Sequence, residues 1–190
     1  DFPSHPLALE WLRQCPYVVC CDGAANTYIR SGRMPEAIVG DGDSLLPDIK
    51  ERYASLIHSE AEQETNDLSK AFRFCLSQER KRITIMGATG KREDHTIGNV
   101  SLLADYMEQA EVSMMTDYGI FVPIREDSMF ESYIGQQISV FNMNSTALSA
   151  EGLAYPLSVF TNWWQGTLNE ALARHFIIRT EGKVLVFRVF

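Results

Sequence analysis

Short apolar runs alternate with stretches of helical spacing over residues 17–116 of this chain. The runs YVVCC, AIVGD, RITIMG and VSMMT predict buried strands at 17–21, 37–41, 82–87 and 112–116. Helices are predicted between them, at 24–31, 67–78 and 94–109. Such alternation is typical of a mostly parallel sheet with helices on both faces. The predicted fold class of this part is therefore α/β.

The pattern changes at about residue 118, after which no helical stretch of convincing length appears. Short alternating or β-branched pieces follow between turn residues: YGIFVPI, QQISVFNM, HFIIRT and KVLVFRVF. We expect an α/β domain over residues 1–118 and an antiparallel β-sandwich domain over residues 119–190. No Gly/Ser linker separates them, so they are expected to pack together. The last piece, 183–190, is predicted to be an uncovered strand that invites pairing with another chain.

Composition narrows the function classes. Of the 190 residues, 45% are hydrophobic, which is enough to bury a core without disulfides or a structural metal. The formal net charge of −8 argues against general nucleic-acid binding, which relies on clustered Lys and Arg. The chain shows no apolar stretch of about 18 residues and no signal peptide, so no membrane span is expected.

The four cysteines form no CxxC pair, so a metal site built from cysteines is not expected. Two of them lie inside an apolar run. We expect buried free thiols, as in proteins of a reducing compartment, at Cys15, Cys20, Cys21 and Cys75. The expected location of the protein is therefore cytoplasmic.

Three of the predicted strands end in polar stretches that contain glycine. These stretches are DGAAN at 22–26, GDGD at 40–43 and GATGKR at 87–92. Ligands of open α/β sheets bind beyond the carboxyl ends of the strands, and parallel strands place those ends at one edge. The three stretches are therefore expected to meet and to form the functional site.

Asp41 and Asp43 are two positions apart, so in a strand they point to the same side. Two like charges this close are tolerated when both are solvated or when a cation lies between them. With Asp22 nearby, the pair would hold Mg²⁺, which prefers oxygen ligands and keeps waters and phosphates in its shell. The alternative is a solvated turn in which Asp and Gly are simply good turn formers.

The segment ETNDLSKAF at 64–72 opens a predicted helix. Thr65 or Asn66 suits the N-cap, and Asp67 suits the first turn because it complements the helix dipole. Asp67 is alternatively another acidic ligand of the metal. Lys70 lies three residues on and projects from about the same face, where it reaches either a phosphate or solvent.

The segment GATGKREDH at 87–95 links a strand to a helix. Its glycines let backbone N–H groups approach an anion at a helix N-terminus, although it matches neither GxxxxGK[ST] nor GxGxxG. Lys91 and Arg92 are candidates to neutralise phosphate charge. Asp94 either caps the helix or acts in the site, and His95 is either functional or a surface residue.

Together these stretches resemble the thiamine pyrophosphokinase family over nearly the whole chain. Gly42 replaces a usually bulky residue, and Ala24, Lys91 and Tyr155 also depart from the family motifs, which fits a divergent bacterial branch. The matching segments, in the family's order, are FPSHP at 2–6, CDGAAN at 21–26, GDGDS at 40–44, QETNDLSKAF at 63–72, GATGKREDHTIGN at 87–99, GLAYPL at 152–157 and GTLNEA at 166–171.

The resemblance implies an enzyme, thiamine diphosphokinase, which transfers a pyrophosphoryl group from ATP to the hydroxyl of thiamine and releases AMP. It implies Mg²⁺ as cofactor, held by Asp22, Asp41, Asp43 and Asp67. The residues that it implies for catalysis are Asp41, Asp43, Asp67 and Asp94. Those that it implies for binding ATP or thiamine are Asp22, Asn26, Lys70, Gly87, Thr89, Gly90, Lys91, Arg92, His95, Asn99, Thr167 and Asn169.

The resemblance further implies a homodimer in which each thiamine site draws on the partner's β domain. Gly166, Thr167 and Asn169 match the segment that contacts thiamine. The aromatic residues that suit stacking on a cationic ring, or else ordinary packing, are Tyr155, Trp163 and Trp164. The family's usual first strand would precede Asp1, so the sheet edge is expected either to carry that strand in a longer chain or to differ here.

Two rival functions remain open from the sequence. The Asp41-Gly42-Asp43 triplet also fits the DxD motif of a metal-dependent glycosyltransferase, although that reading gives the Asp67 and GATGKREDH segments no role. A non-catalytic regulatory module would bind ATP, use the β part for oligomerisation and release no AMP.

Overall fold

The computed structural model describes residues 1–60, 62 and 64–190, so Gln63, which opens the QETNDLSKAF segment, lies outside the described residues. The α-helices of the described chain are α1 (Pro6–Gln14), α2 (Ala24–Arg30), α3 (Pro47–Arg52), α4 (Asp67–Ser77), α5 (Glu93–Ser101) and α6 (Leu103–Tyr106). Its strands are β1 (Val19–Cys21), β2 (Ala37–Gly40), β3 (Ile57–Ser59), β4 (Arg82–Met86), β5 (Glu111–Met115), β6 (Gly119–Ile124), β7 (Ser128–Glu131), β8 (Gln137–Asn142), β9 (Leu148–Glu151), β10 (Asn169–Glu170), β11 (His175–Thr180) and β12 (Val184–Val189).

The strands of the described residues form three sheets. Their orders are β1-β2-β3, β10-β8-β12-β6-β5-β4 and β7-β11-β9. The first sheet is parallel, with Val19 opposite Ala37 and Ile38 opposite Ile57. The third sheet is antiparallel and packs against the antiparallel strands of the second, so that Phe130, Ile138 and Phe176 share one core. The α/β class with a C-terminal β-sandwich is confirmed.

The parallel strands are divided between two sheets, whereas the sequence pattern predicts one. Strands β4 and β5 pair in parallel, and β5 then pairs antiparallel with β6. A tight turn joins β5 to β6, in which the Thr116 amide donates to the Gly119 carbonyl at 2.9 Å. Gly119 is required there because a Cβ would lie 2.1 Å from the Arg188 carbonyl oxygen. The sheet therefore continues across residue 118, where we predict the domain boundary.

Strand β12 is central, so the prediction that residues 183–190 form an uncovered strand is wrong. It pairs with β6 on one side and with β8 on the other. Val184 and Val186 face the sandwich core, while Leu185 faces the core formed with Phe72 and Ile85. The strand is thus buried on both faces, and the two parts of the chain pack together as expected.

Helix α4 begins where the sequence predicts. The Asn66 side chain caps it by accepting from the Ser69 amide at 2.9 Å. The helix packs against β1 and β2, and its Phe72 also stacks on Tyr106 with ring centroids 3.9 Å apart. It therefore links the first sheet to the second and holds its N-terminal turn beside the ends of β1 and β2.

The helix predicted at 94–109 is two helices, α5 and α6, which meet at Leu102. The interruption is local, because Val100 and Leu103 still pack into the core that contains Phe72. The longest helix of the described chain, α4, has 11 residues. None of the helices within that described part is both long and apolar enough to span a membrane.

The four cysteines are free thiols. The expectation of burial is wrong for Cys15, which is exposed at the C-terminal cap of α1, and correct for Cys20, while Cys21 and Cys75 are half-buried. Burial raises the pKa of the Cys20 and Cys21 thiols to about 12, so neither is a thiolate at neutral pH.

Candidate active site

The carboxyl ends of β1 and β2 bring three carboxylates together. Asp22 directly follows β1, and Asp41 and Asp43 follow β2. One carboxylate oxygen from each of the three residues lies within 4.8 Å of the corresponding oxygens of the other two. Among the described acidic, histidine and cysteine side chains, this is the only such group of three or more. Parallel pairing of β1 with β2 places both strand ends at one edge, as the sequence predicts.

Gly40 permits this close approach of the two strand ends. A Cβ at Gly40 would lie 2.7 Å from the Asp22 Cβ, a distance that side chains do not tolerate. Its φ of 154° also lies where residues with a side chain are disfavoured. A glycine at this position is therefore needed for Asp22 to lie beside the Asp41–Asp43 turn.

Asp22 is buried, with an exposed fraction of 3%. Its Oδ2 accepts from the Ser44 amide at 3.1 Å, while its Oδ1 is buried without a hydrogen-bond partner in the described part of the chain. Burial raises the pKa of Asp22, and the charges of Asp67 and Asp41 add to this. A buried oxygen without a partner, beside two further carboxylates, fits a divalent cation with hard oxygen ligands.

Replacing Asp22 by asparagine is expected to raise the melting temperature of the metal-free protein at neutral pH. The folded-state pKa of Asp22 is raised, so its ionised form costs stability at neutral pH, and that cost fades as the pH falls and the carboxyl protonates. Asparagine keeps an oxygen for the Ser44 amide. Thermal unfolding with a chelator, at neutral pH and near pH ~4, measures this. A variant less stable than the wild type at neutral pH would contradict it.

Asp67 lies apart from these three carboxylates and is paired with Lys70. It is the first residue of α4 and is not in the group whose oxygens meet within 4.8 Å. The Lys70 ammonium donates to Asp67 Oδ1 at 3.2 Å, with the Lys70 side chain buried and that of Asp67 41% exposed. Asp67 still contributes to the raised pKa of Asp22. Its role as a metal ligand stays a prediction.

The 87–95 segment joins β4 to α5 as predicted, and two of its charged residues, Arg92 and Asp94, pair with each other. The Arg92 guanidinium donates to both carboxylate oxygens of Asp94, at 3.1 and 2.6 Å. These hydrogen bonds lower the pKa of Asp94, and the hydrogen bond from the His95 amide lowers it further by a smaller amount. Gly87 and Gly90 have φ of 73° and 91°, so the loop adopts turns that favour glycine. Lys91 is exposed beside them.

Asn99 connects this loop to the start of α4. Its amide donates to the Ala88 carbonyl at 2.8 Å, and its oxygen accepts from Asn66 at 3.4 Å. The residue thus holds the 87–90 loop beside the first turn of α4, which carries Asp67. Its predicted binding role is compatible with this place, but the contacts that the structure gives it are positioning contacts.

Asn26 is likewise engaged in holding the acidic loop. Its amide donates to the Ser44 carbonyl at 2.9 Å, and its oxygen accepts from the Leu46 amide at 3.0 Å. A further contact comes from Lys50 on α3, whose ammonium donates to the Gly42 carbonyl at 2.7 Å. Sequence patterns had given Lys50 no role, and its place one turn into a helix that follows the acidic loop is the signal that could have found it.

A cavity of about 840 Å³ lies between β1 and β4, each of which is at the edge of its sheet. Helix α4 lines one side of it through Leu68, Ala71 and Phe72. At the carboxyl ends of the strands the cavity reaches the 87–92 loop. The candidate binding residues that line it are Gly87, Thr89, Lys91, Arg92, His95 and Asn99.

The candidate residues of the C-terminal part differ in exposure, since Thr167 is exposed and Asn169 is not. Asn169 is buried, and its amide group accepts from and donates to the Tyr155 backbone at 3.0 and 2.8 Å. The Thr167 hydroxyl donates to the Trp164 carbonyl at 2.7 Å. Between them, Leu168 is 75% exposed and has a φ of 61°, which is unusual for a residue with a side chain.

Three aromatic residues lie next to this segment: Trp163 and Trp164 precede it in the chain, and Tyr155 bonds to Asn169 through its backbone. The exposed fractions are 64% for Tyr155, 44% for Trp163 and 73% for Trp164. Ordinary core packing is therefore excluded for Tyr155 and Trp164. Exposed apolar groups concentrated in one patch mark a ligand or partner surface.

Comparison with known proteins assigns the chain to a family. The model of the thiamin pyrophosphokinase catalytic domain matches residues 8–115, and that of the thiamin pyrophosphokinase substrate-binding domain matches residues 119–187. Thiamine pyrophosphokinase 1 of Oryza sativa subsp. japonica is 30% identical in an alignment of 129 residues, and the match covers 55% of this chain and 49% of that protein. Thiamine pyrophosphokinase of Bacillus subtilis is 34% identical in an alignment of 86 residues, and the match covers 43% of this chain and 40% of that protein.

The matches span about half the length of these curated relatives. Among solved structures, thiamine pyrophosphokinase from Bacillus subtilis superimposes with a TM-score of 0.82 at 20% identity, covering 99% of this chain and 96% of that one. Thiamin pyrophosphokinase from Candida albicans gives 0.80 at 19% identity, covering 100% and 86%. At these identities the structural likeness shows only the fold. The family models show the membership: the chain belongs to the thiamin pyrophosphokinase family.

Proposed function

We propose that this protein is a thiamine diphosphokinase, which transfers a pyrophosphoryl group from ATP to the hydroxyl of thiamine and releases AMP. The observation that carries the proposal is the convergence of Asp22, Asp41 and Asp43 within 4.8 Å, in a chain that belongs to this family. The glycosyltransferase and regulatory-module alternatives receive no support from the family models or the relatives. In this proposal residues 1–118 bind ATP and Mg²⁺, and residues 119–190 bind thiamine and dimerise.

The donor set supports Mg²⁺ as the cofactor. Asp22, Asp41 and Asp43 would hold it, and Asp67, which lies outside this group of three, would be a fourth ligand. When bound, Mg²⁺ offsets negative charge on the phosphates of ATP during transfer. The protein would use its own cations for the same purpose: Lys70 and Lys91 neutralise phosphate charge, and Arg92 does so once it exchanges Asp94 for a phosphate.

Asp94 and His95 lie in the first turn of α5, and His95 lines the cavity. We place the meeting of the thiamine hydroxyl with ATP here. Their main task in this proposal is to orient the reactants, because phosphoryl-type transfer depends mostly on positioning and electrostatic stabilisation. Asp94 lies next to the backbone amides of the helix start. In the free protein the hydrogen bonds from Arg92 lower the pKa of Asp94. Once Arg92 turns to a phosphate, the Asp94 carboxylate would accept hydrogen bonds from the reactants instead.

We further propose a homodimer with shared active sites, in the cytoplasm. The exposed surface around Tyr155, Trp164 and Leu168 supports the dimer, because aromatic residues are enriched at interface cores. Asn169 and Thr167 would shape this surface for thiamine. The free state of the four cysteines supports a reducing compartment.

Measurement of AMP release from ATP and Mg²⁺, with and without thiamine, tests the proposed reaction. We expect AMP and thiamine diphosphate to appear in equal amounts and only when thiamine is present. ATP binding without AMP would favour the regulatory module. Release of a nucleoside diphosphate from a nucleotide sugar would favour the glycosyltransferase.

Replacing Lys70 by methionine is expected to lower kcat/KM for ATP at least about tenfold and to change the KM for thiamine less. Methionine fills the buried site of the Lys70 stem but removes the ammonium that faces Asp67 and, in the proposal, a phosphate. Steady-state kinetics with each substrate varied in turn measures both effects. If only the KM for thiamine changed, Lys70 would face the other substrate.

A further inference from the structure

The acidic loop, residues 41–46, is held at its backbone by side chains from two helices. Asn26 of α2 bonds to Ser44 and Leu46, which fixes the end of the loop that leads into α3. The other end carries Asp41 and Asp43 on either side of Gly42. Among the described side chains, Lys50 provides the hydrogen bond to the Gly42 backbone, at 2.7 Å.

Gly42 is the residue of the loop most in need of such a contact. Its φ of 75° is a conformation that glycine adopts readily and leaves readily, because no Cβ restricts it. Coulomb repulsion between Asp41 and Asp43 favours any rearrangement that separates them. A hydrogen bond to the Gly42 carbonyl opposes that rearrangement.

Lys50 occupies the space beside Gly42. A Cβ built on Gly42 would lie 3.5 Å from the Lys50 Nζ and 3.6 Å from its Cε. The hydrogen bond of this ammonium goes to the loop backbone, at the Gly42 carbonyl. Lys50 therefore reaches the loop by a charge-assisted hydrogen bond from a helix.

We infer that Lys50 is a positioning residue of the metal site, which holds Gly42 so that Asp41 and Asp43 converge with Asp22 on a divalent cation. The inference rests on the proposed function, because it assumes that these carboxylates bind the cation. According to this inference Lys50 strengthens metal binding, although its positive charge by itself would weaken it.

The opposite sign makes the inference testable. A positive charge near a cation site weakens binding by repulsion, so its removal alone would tighten binding. If Lys50 instead holds the ligands in place, its removal weakens metal binding. The metal must then order the loop itself, and the free energy of ordering reduces the free energy of binding. A general loss of stability would not change the metal affinity of the molecules that remain folded.

Mn²⁺ binding to the full chain without ATP or thiamine, measured by electron paramagnetic resonance of the free ion, decides between these. We expect Lys50→Met to weaken Mn²⁺ binding about tenfold, which is the size of one charge-assisted hydrogen bond. Lys50→Arg, which keeps a charged donor, should stay within about threefold of the wild type. Lys81→Met is the matched control, since Lys81 is exposed just before β4, and it should bind as the wild type does.

Unchanged or tighter Mn²⁺ binding by Lys50→Met would overturn the inference while leaving the metal site in place. Equal weakening in Lys81→Met would also overturn it, because the effect would then not depend on the contact between Lys50 and Gly42. Lys50→Arg as weak as Lys50→Met would exclude the hydrogen bond as the cause. Failure of the wild type to bind Mn²⁺ at all would instead overturn the proposed metal site on which the inference rests.

Discussion

Replacing Asp41 or Asp43 by asparagine is expected to lower turnover at least about a hundredfold, a loss of about 3 kcal/mol of transition-state stabilisation. Each substitution replaces one carboxylate oxygen by an amide nitrogen and so removes one of the three negative charges that meet within 4.8 Å. The fold should survive, because removing one of several mutually repelling carboxylates relieves repulsion in the metal-free protein. Initial rates over a Mg²⁺ titration, together with thermal unfolding, measure the two effects.

Asp48→Asn is the matched control for these variants. Asp48 is exposed in the first turn of α3, near the acidic loop but outside the group of three, so its replacement should leave turnover within about twofold. Near-normal activity of both Asp41→Asn and Asp43→Asn over the whole Mg²⁺ range would exclude their assignment as metal ligands.

The second large effect expected is recovery of activity when two inactive chains are mixed. One chain carries Asp43→Asn in the acidic site, and the other carries Asn169→Ala, which frees the Tyr155 backbone that Asn169 holds. If residues 166–169 of one chain face residues 94–99 of the partner, a heterodimer has one intact site. Recovery of up to about a quarter of wild-type activity is expected from random exchange, since half of the dimers are mixed and each has one of two sites.

Tyr155→Ala repeats this experiment without disturbing a buried residue, because Tyr155 is 64% exposed. Subunit exchange is verified with differently tagged chains, and light scattering gives the mass of the assembly. A monomer, or no recovery despite proven exchange, would show that each site is built within one chain.

The sequence predicted most elements of the first part because their signals are local. Strands β2 and β4 are short apolar runs bounded by turn residues, and α4 combines an N-cap at Asn66 with apolar residues of helical spacing. Helices α1 and α3 were missed, although Pro6 and Pro47 at their first positions are recognised start signals. Strands such as β10, with two residues, are too short for a periodic pattern.

The meeting of Asp22 with Asp41 and Asp43 was also predictable, because parallel strands place their carboxyl ends at one edge. The pairing of Arg92 with Asp94 was not. Both are charged residues where the 87–92 loop meets α5, and whether they face a phosphate or each other depends on side-chain directions that the spacing leaves open. The same holds for Asn169, whose amide group bonds to a backbone 14 residues away.

The sequence by itself determined the class of each main element and which polar residues stand at strand ends, because both follow from the order of neighbouring residues. Tertiary structure alone decided that β12 lies in the middle of a sheet, that Asp22 is buried with one oxygen unpaired, and that Lys50 reaches Gly42. Strand order, burial and contacts between elements depend on which distant segments pack together. The interactions that stabilise these features form only when the distant segments meet, so no local sequence pattern predicts them.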